Sequence, residues 1–136
     1  MATYLAFDFG EKRIGSAVGD SITGTARPLA TLDGLEAAVR LVQDWRPRAL
    51  VVGLPLNEDG SEQAITTKTR AFVKQLEARC KLPVHLADER YSSRAADDVL
   101  RSARASGAMN RRVRKGDRDG LAAKIILEQW LATAQE

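Results

Sequence analysis

Apolar and polar side chains alternate over Thr3-Tyr4-Leu5-Ala6-Phe7-Asp8. A strand repeats with period 2, so Tyr4, Ala6 and Asp8 share one face and Thr3, Leu5 and Phe7 the other. Phe9-Gly10 opens a tight turn, and Ile14 to Gly19 predicts a second strand running back beside the first. Ala26 to Leu32 predicts a third strand, at a sheet edge where Pro28 is tolerated. Leu35, Ala38, Val39 and Val42 then recur at helical spacing behind Asp33 as N-cap, and Pro47 ends that helix. Ala49-Leu50-Val51-Val52-Gly53-Leu54 is apolar without interruption, as expected of a strand covered on both faces in a parallel sheet.

The second half continues in the same manner. Pro55 to Gly60 is a loop. Ser61, as helix cap, leads a long helix to about Arg79 with Ile65, Phe72 and Leu76 inside. Pro83 to Arg90 predicts a strand with Val84, Leu86 and Asp88 on one face and His85, Ala87 and Glu89 on the other. Ser92 or Ser93 caps a further helix with Ala95, Ala96, Val99, Leu100 and Ala103 inside and Gly107 as its stop. A last helix, from about Asp117 to Leu131, carries the stripe Ala122, Ala123, Ile126 and Trp130. Asp119 lies three and four residues before the first two of these, on the same inward side. The order β-β-β-α-β-α-β-α-α predicts an α/β domain over residues 1–136, a five-stranded mixed sheet flanked by helices.

Composition narrows the classes. A chain of 136 residues with 44% apolar content can bury a core. Cys80 is the only cysteine and His85 the only histidine, so an internal disulfide and an ordinary zinc site are both excluded. Cys80 reads as a small buried hydrophobe. No apolar run is long enough for a membrane span, and the N-terminus lacks a secretory pattern; a cytoplasmic protein is expected. The net charge is only +3, yet Arg101 to Arg118 holds seven bases and one acid, giving +6 there and −3 elsewhere. A basic segment of this kind is either a solvated surface or a contact for phosphates.

Three carboxylates stand at the ends of elements: Asp8 after the first strand, Glu89 at the last, and Asp119 on the final helix. Asp8 has a simpler role open to it, as cap of the turn that follows. Asn57 or Asp59 has a similar choice between substrate and the Asp59-Gly60 turn. In a parallel arrangement, however, Asp8 and Glu89 leave the same edge of the sheet, and the last helix brings Asp119 toward them. Three such groups in one pocket repel one another unless a cation offsets them. Oxygen donors suit Mg²⁺ or Mn²⁺, and two such ions activate water and stabilise the leaving oxygen in phosphodiester hydrolysis.

Four motifs in order then resemble the YqgF (RuvX) family over nearly the whole chain. They are Asp8-Phe9-Gly10 with Lys12-Arg13-Ile14-Gly15, Gly53-Leu54-Pro55-Leu56-Asn57 with Asp59-Gly60, Asp88-Glu89-Arg90 with Ser92-Ser93, and Lys115 followed by Asp119, Ala122-Ala123 and Ile126-Leu127-Glu128. The resemblance implies an RNase H-like fold and a nuclease of precursor 16S rRNA, a family earlier assigned to Holliday junction resolution. It implies Asp8, Glu89 and Asp119 as the catalytic, metal-binding acids. It also implies that Lys12, Arg13, Asn57, Arg111, Arg112, Arg114 and Lys115 face nucleic acid. Asp88 points away from Glu89 by alternation and is expected to be structural. Gly120, directly after the third acid, is a less common choice in this motif.

Other readings make different demands. A resolvase of four-way DNA needs a dimer with two sites; the sequence leaves monomer and homodimer open. A non-catalytic nucleic-acid-binding factor is expected to lack one of the acids, and none is lacking. A sugar-kinase or actin-like phosphotransferase shares the first Asp-containing turn but needs two such domains, for which the chain is too short.

Overall fold

The computed structural model describes residues 2–88 and 115–134, with side chains of the last helix from Asp119 to Thr133. Among these residues the strands are β1 (Thr3–Phe9), β2 (Ile14–Asp20), β3 (Thr25–Pro28), β4 (Ala49–Leu54) and β5 (Val84–Asp88), and the helices α1 (Leu35–Trp45), α2 (Ala64–Cys80) and α3 (Lys115–Ala134). They form one mixed sheet in the order β3-β2-β1-β4-β5. β1–β2 and β2–β3 are antiparallel; β1–β4 and β4–β5 are parallel. The helix expected over residues 92–106 and the basic loop after it lie outside the described residues.

Strand alternation sorts the core into two layers. Leu5, Phe7, Val18, Leu50 and Val52 face α1 and α2 and pack on Ala38, Val39, Val42, Phe72, Val73 and Leu76. Ala6, Ala26 and Val51 face α3 and pack on Ile126, Leu127 and Leu131. β4 is buried along its whole length, as its unbroken apolar run requires. The α3 stripe is wider than the predicted one: Leu127 and Leu131 are fully buried. Trp130 stays half-buried at the margin, its ring 5.2 Å from Tyr4 and 4.8 Å from His85.

α3 approaches β2 closely because the β2 residues beneath it are small. Gly15, Ala17 and Gly19 lie opposite Asp8, Ala6 and Tyr4, hence on the α3 face. A Cβ on Gly19 would sit 2.8 Å from Leu127 Cδ2, and one on Gly15 2.3 Å from the backbone oxygen of Asp119. Gly120, for its part, lies buried against Pro28, 3.0 Å from where its Cβ would stand. Its use in a helix start suits this close approach to the β3 edge.

Three element boundaries differ from the sequence expectation for local reasons. β3 ends at Pro28, which has no N–H to donate; beyond it the Leu29 N–H donates to the Ser16 carbonyl at 2.8 Å, and Ile14 and Leu32 form a separate bridge. α2 starts at Ala64, not after Ser61. The Asp59 carboxylate takes both the N–H and the hydroxyl of Ser61 at 2.9 and 2.6 Å, so Ser61 is held in the turn. Gln63 and Thr66 form the capping box instead. α1 has Gly34 at its N-cap, with no side-chain cap from Asp33.

α1 and α2 are joined by a fork in which Arg79 Nη1 and Nη2 donate to Glu36 at 2.6 and 3.0 Å. The Arg79 hydrogen bonds and charge hold the Glu36 carboxyl below its ordinary value of 4.5. A carboxyl whose folded pKa is depressed adds stability above its unfolded pKa and loses it as pH falls through the folded one. Glu36→Gln is therefore expected to lower the melting temperature at neutral pH, with the gap to wild type closing in acid. Melts of both proteins across that range check it. Cys80, expected as a buried hydrophobe, is half-buried beside this pair, and burial pushes its thiol up.

Candidate active site

The candidate site is assembled at the carboxyl end of β1, where the sheet, the β1–β2 turn and the first turns of α3 meet. Asp8 is the last residue but one of β1 and projects on the α3 side, two residues beyond Ala6. Its partner across the β1–β2 ladder is Gly15. Asp119 rests on that same glycine, its backbone carbonyl and Cβ against the Gly15 Cα. Two acids separated by most of the chain thereby flank one residue that has no side chain to hold them apart.

The turn between β1 and β2 is closed by the Gly10 N–H donating to the Arg13 carbonyl at 2.9 Å. It aims Arg13 back over the sheet, and its Nε donates to Asp119 Oδ2 at 3.0 Å. The two side chains are 39% and 27% exposed, so the pair is open to exchange with solvent. Arg13, expected at nucleic acid, is thus placed on an acid of the site. Lys12 beside it is exposed, and Glu11 accepts from Lys68 of α2 at 3.0 Å, tying the turn to that helix.

The parallel pairs carry this edge across the sheet. Phe7 lies beside Val52 and Val52 beside Leu86, while Asp88 lies beside Leu54. Asp88 accordingly belongs to the α1–α2 face, opposite to Asp8. Ala87 packs with the α3 layer; Glu89, the third expected acid, lies outside the described residues, as do Arg111, Arg112 and Arg114. Lys115 opens α3. Among the described residues no three His, Cys, Asp or Glu side chains gather as a metal-holding group. Asp8 and Asp119, which approach Gly15 from two sides, carry carboxylates, the hard oxygen ligands that Mg²⁺ or Mn²⁺ accepts.

The Asn57 loop follows β4. It is an organised turn: Asn57 Nδ2 donates to Ser61 Oγ at 2.9 Å, and the Asn57 N–H to the Ser61 carbonyl at 2.9 Å. Thr66, fully buried on α2, donates its hydroxyl to the Pro55 carbonyl and pins the start of the loop. Sequence reading missed Thr66 in this role, and it missed Arg13 as partner of Asp119. It also missed Glu128, whose Oε2 accepts the Ala26 N–H of the edge strand at 2.9 Å.

Comparison with known proteins places this architecture. A family model described as "RuvX: Holliday junction resolvase" matches residues 2–133. A relative from Chromobacterium violaceum named "Putative pre-16S rRNA nuclease" is 46% identical over 132 residues, covering 93% of this chain and 94% of its own. A relative of the same name from Haemophilus influenzae is 42% identical over 139 residues, covering 98% and 97%. Among solved structures, Thermus thermophilus RuvC in complex with a Holliday junction substrate superposes with a TM-score of 0.64, over 99% of this chain and 96% of that one. At 17% identity that likeness carries the fold, which is RNase H-like.

Proposed function

Since this chain belongs to the RuvX family, we propose that it is a metal-dependent nuclease that hydrolyses phosphodiester bonds of precursor 16S rRNA in the cytoplasm. The observation that carries the reading is the docking of Asp119 on Gly15, directly across the ladder from Asp8. Two ligands of a shared cation are expected to converge on one such point of the sheet. The rRNA substrate rests on relatives 42–46% identical over nearly the whole chain.

Asp8, Glu89 and Asp119 would hold Mg²⁺ or Mn²⁺, two ions in the full site. Such ions supply ionised water and charge stabilisation at the leaving oxygen. The protein does the rest. β1 and α3 hold Asp8 and Asp119 on a packed sheet face, so little reorganisation is needed as charge develops. Lys12, Arg111, Arg112, Arg114 and Lys115 hold phosphates of the strand, and Asn57 orients it from the β4 side. No helix among the described residues is long and apolar enough to cross a membrane.

A second reading, resolution of four-way DNA, is favoured by the description of the matching family. One preparation separates the two. Labelled precursor rRNA, single-stranded RNA and a four-way DNA junction are incubated with Mg²⁺, Mn²⁺ or EDTA. Cleavage of the precursor that EDTA abolishes is the expected result. Cutting confined to the junction moves the chain to the second reading, and equal cutting in EDTA removes the metal from both.

A further inference from the structure

Arg13 is one of the basic residues expected to meet phosphate, yet its Nε is engaged by Asp119. From this contact we infer that Arg13 is the resident counter-cation of Asp119, and that a divalent ion reaching the acids takes the carboxylate from it. The inference rests on the metal-site reading above and adds to it an exchange between two cations.

Three observations carry it. The ion pair is a single Nε–Oδ2 contact of 3.0 Å between side chains partly open to solvent. It lacks the forked geometry seen between Arg79 and Glu36, so it is the weaker, more exchangeable kind of arginine–carboxylate contact. The backbone of Arg13 is held by the Gly10 hydrogen bond and by the start of β2. The guanidinium therefore stays beside the acids when it leaves Oδ2. Finally, Asp119 is followed by Gly120, a residue that weakens a helix intrinsically. An acid there gains from a cation that fixes it against the sheet while no ion is bound.

The direction of the effect separates exchange from support. A partner that only orients a metal ligand strengthens ion binding, and its loss typically costs about 10–100-fold in affinity. A guanidinium also carries a full positive charge, which a divalent ion at the same carboxylate has to overcome. Removing that charge should tighten ion binding. The displaced guanidinium, with Lys12 next to it, is then free to donate to a phosphate oxygen of the substrate. The two roles of Arg13 thus follow one another.

The test measures Mn²⁺ binding by titration calorimetry and by the paramagnetic resonance of free Mn²⁺, without nucleic acid. Arg13→Gln is expected to bind roughly tenfold tighter than wild type, from the loss of one like charge in a largely hydrated site. Arg13→Lys, which keeps the charge, should stay within about threefold of wild type. Arg13→Ala is the second neutral variant should the glutamine protein fold poorly, and Mn²⁺ should raise the melting temperature of either neutral variant more than that of wild type. Equal or weaker binding by both neutral variants overturns the exchange and leaves Arg13 as a support for Asp119. If wild type binds no Mn²⁺, or if Asp119→Asn binds it as well as wild type does, the metal-site reading itself fails and the exchange with it.

Discussion

Replacing Asp8 with asparagine is expected to give a folded protein that still binds RNA and no longer cuts it. The side chains match in size, and Asp8 lies at the rim of the sheet, half-buried beyond Ala6. The packed layer of Ala6, Val51, Ile126 and Leu127 is left as it is. What changes is charge: a neutral amide is a poor ligand for a hard cation. Loss of one electrostatic stabiliser at a reacting centre costs on the order of 10²- to 10³-fold in rate. On the proposed reading affinity rests on basic residues elsewhere, so it should change only a few-fold. Single-turnover cleavage and fluorescence anisotropy on one labelled precursor give both numbers. Residual cleavage equal to wild type would end the assignment of Asp8.

Gly15→Ala is expected to be nearly as severe, by a different route. The new Cβ would stand 2.3 Å from the Asp119 carbonyl oxygen and 2.6 Å from its carbon. Both are backbone atoms, so no rotamer change relieves the clash and α3 itself has to move. Overpacking of this kind costs about 1–3 kcal/mol, a fall of roughly 3–15 °C in melting temperature for a domain of this size. The shift carries Asp119 away from Asp8, and about 1 Å of misplacement is worth on the order of 10²-fold in rate. Gly34→Ala is the control, since a Cβ there meets nothing within 4 Å and its φ of 170° is open to any residue. Melting curves and cleavage rates of the two variants should differ sharply; a Gly15→Ala protein as stable and active as Gly34→Ala would show that α3 is not seated as described.

Much of this architecture is legible in the sequence, because strand alternation is a strictly local signal. It puts Asp8 on the Tyr4–Ala6 side and sends Asp88 to the other face, and the unbroken apolar run of β4 marks that strand as covered on both. Helical spacing likewise puts Asp119 on the inward side of α3. The rest depends on partners far along the chain. Nothing near Arg13 says that its guanidinium meets a carboxylate 106 residues away. Nothing near Glu128 says that it caps the Ala26 N–H of an edge strand. The start of α2 was obscured by competition between two capping schemes: Ser61 is a good cap in isolation, and Asp59 captures it first. Leu127 and Leu131 escape a narrow stripe because α3 lies across β2, β1 and β3 at once and buries a broader arc.

The placement of Asp8 and Asp119 at opposite ends of the chain also fixes an order in time. A ribosome delivers β1 and β2 first, and early segments begin to organise while later ones are still being made. The face formed by Ala6, Ala26 and Val51 then waits for Ile126, Leu127 and Leu131 to cover it. Until that helix arrives the two carboxylates are not in one place. On the proposed roles of Asp8 and Asp119, cleavage is expected only once the last helix has closed on the sheet. Chain order alone supplies that delay.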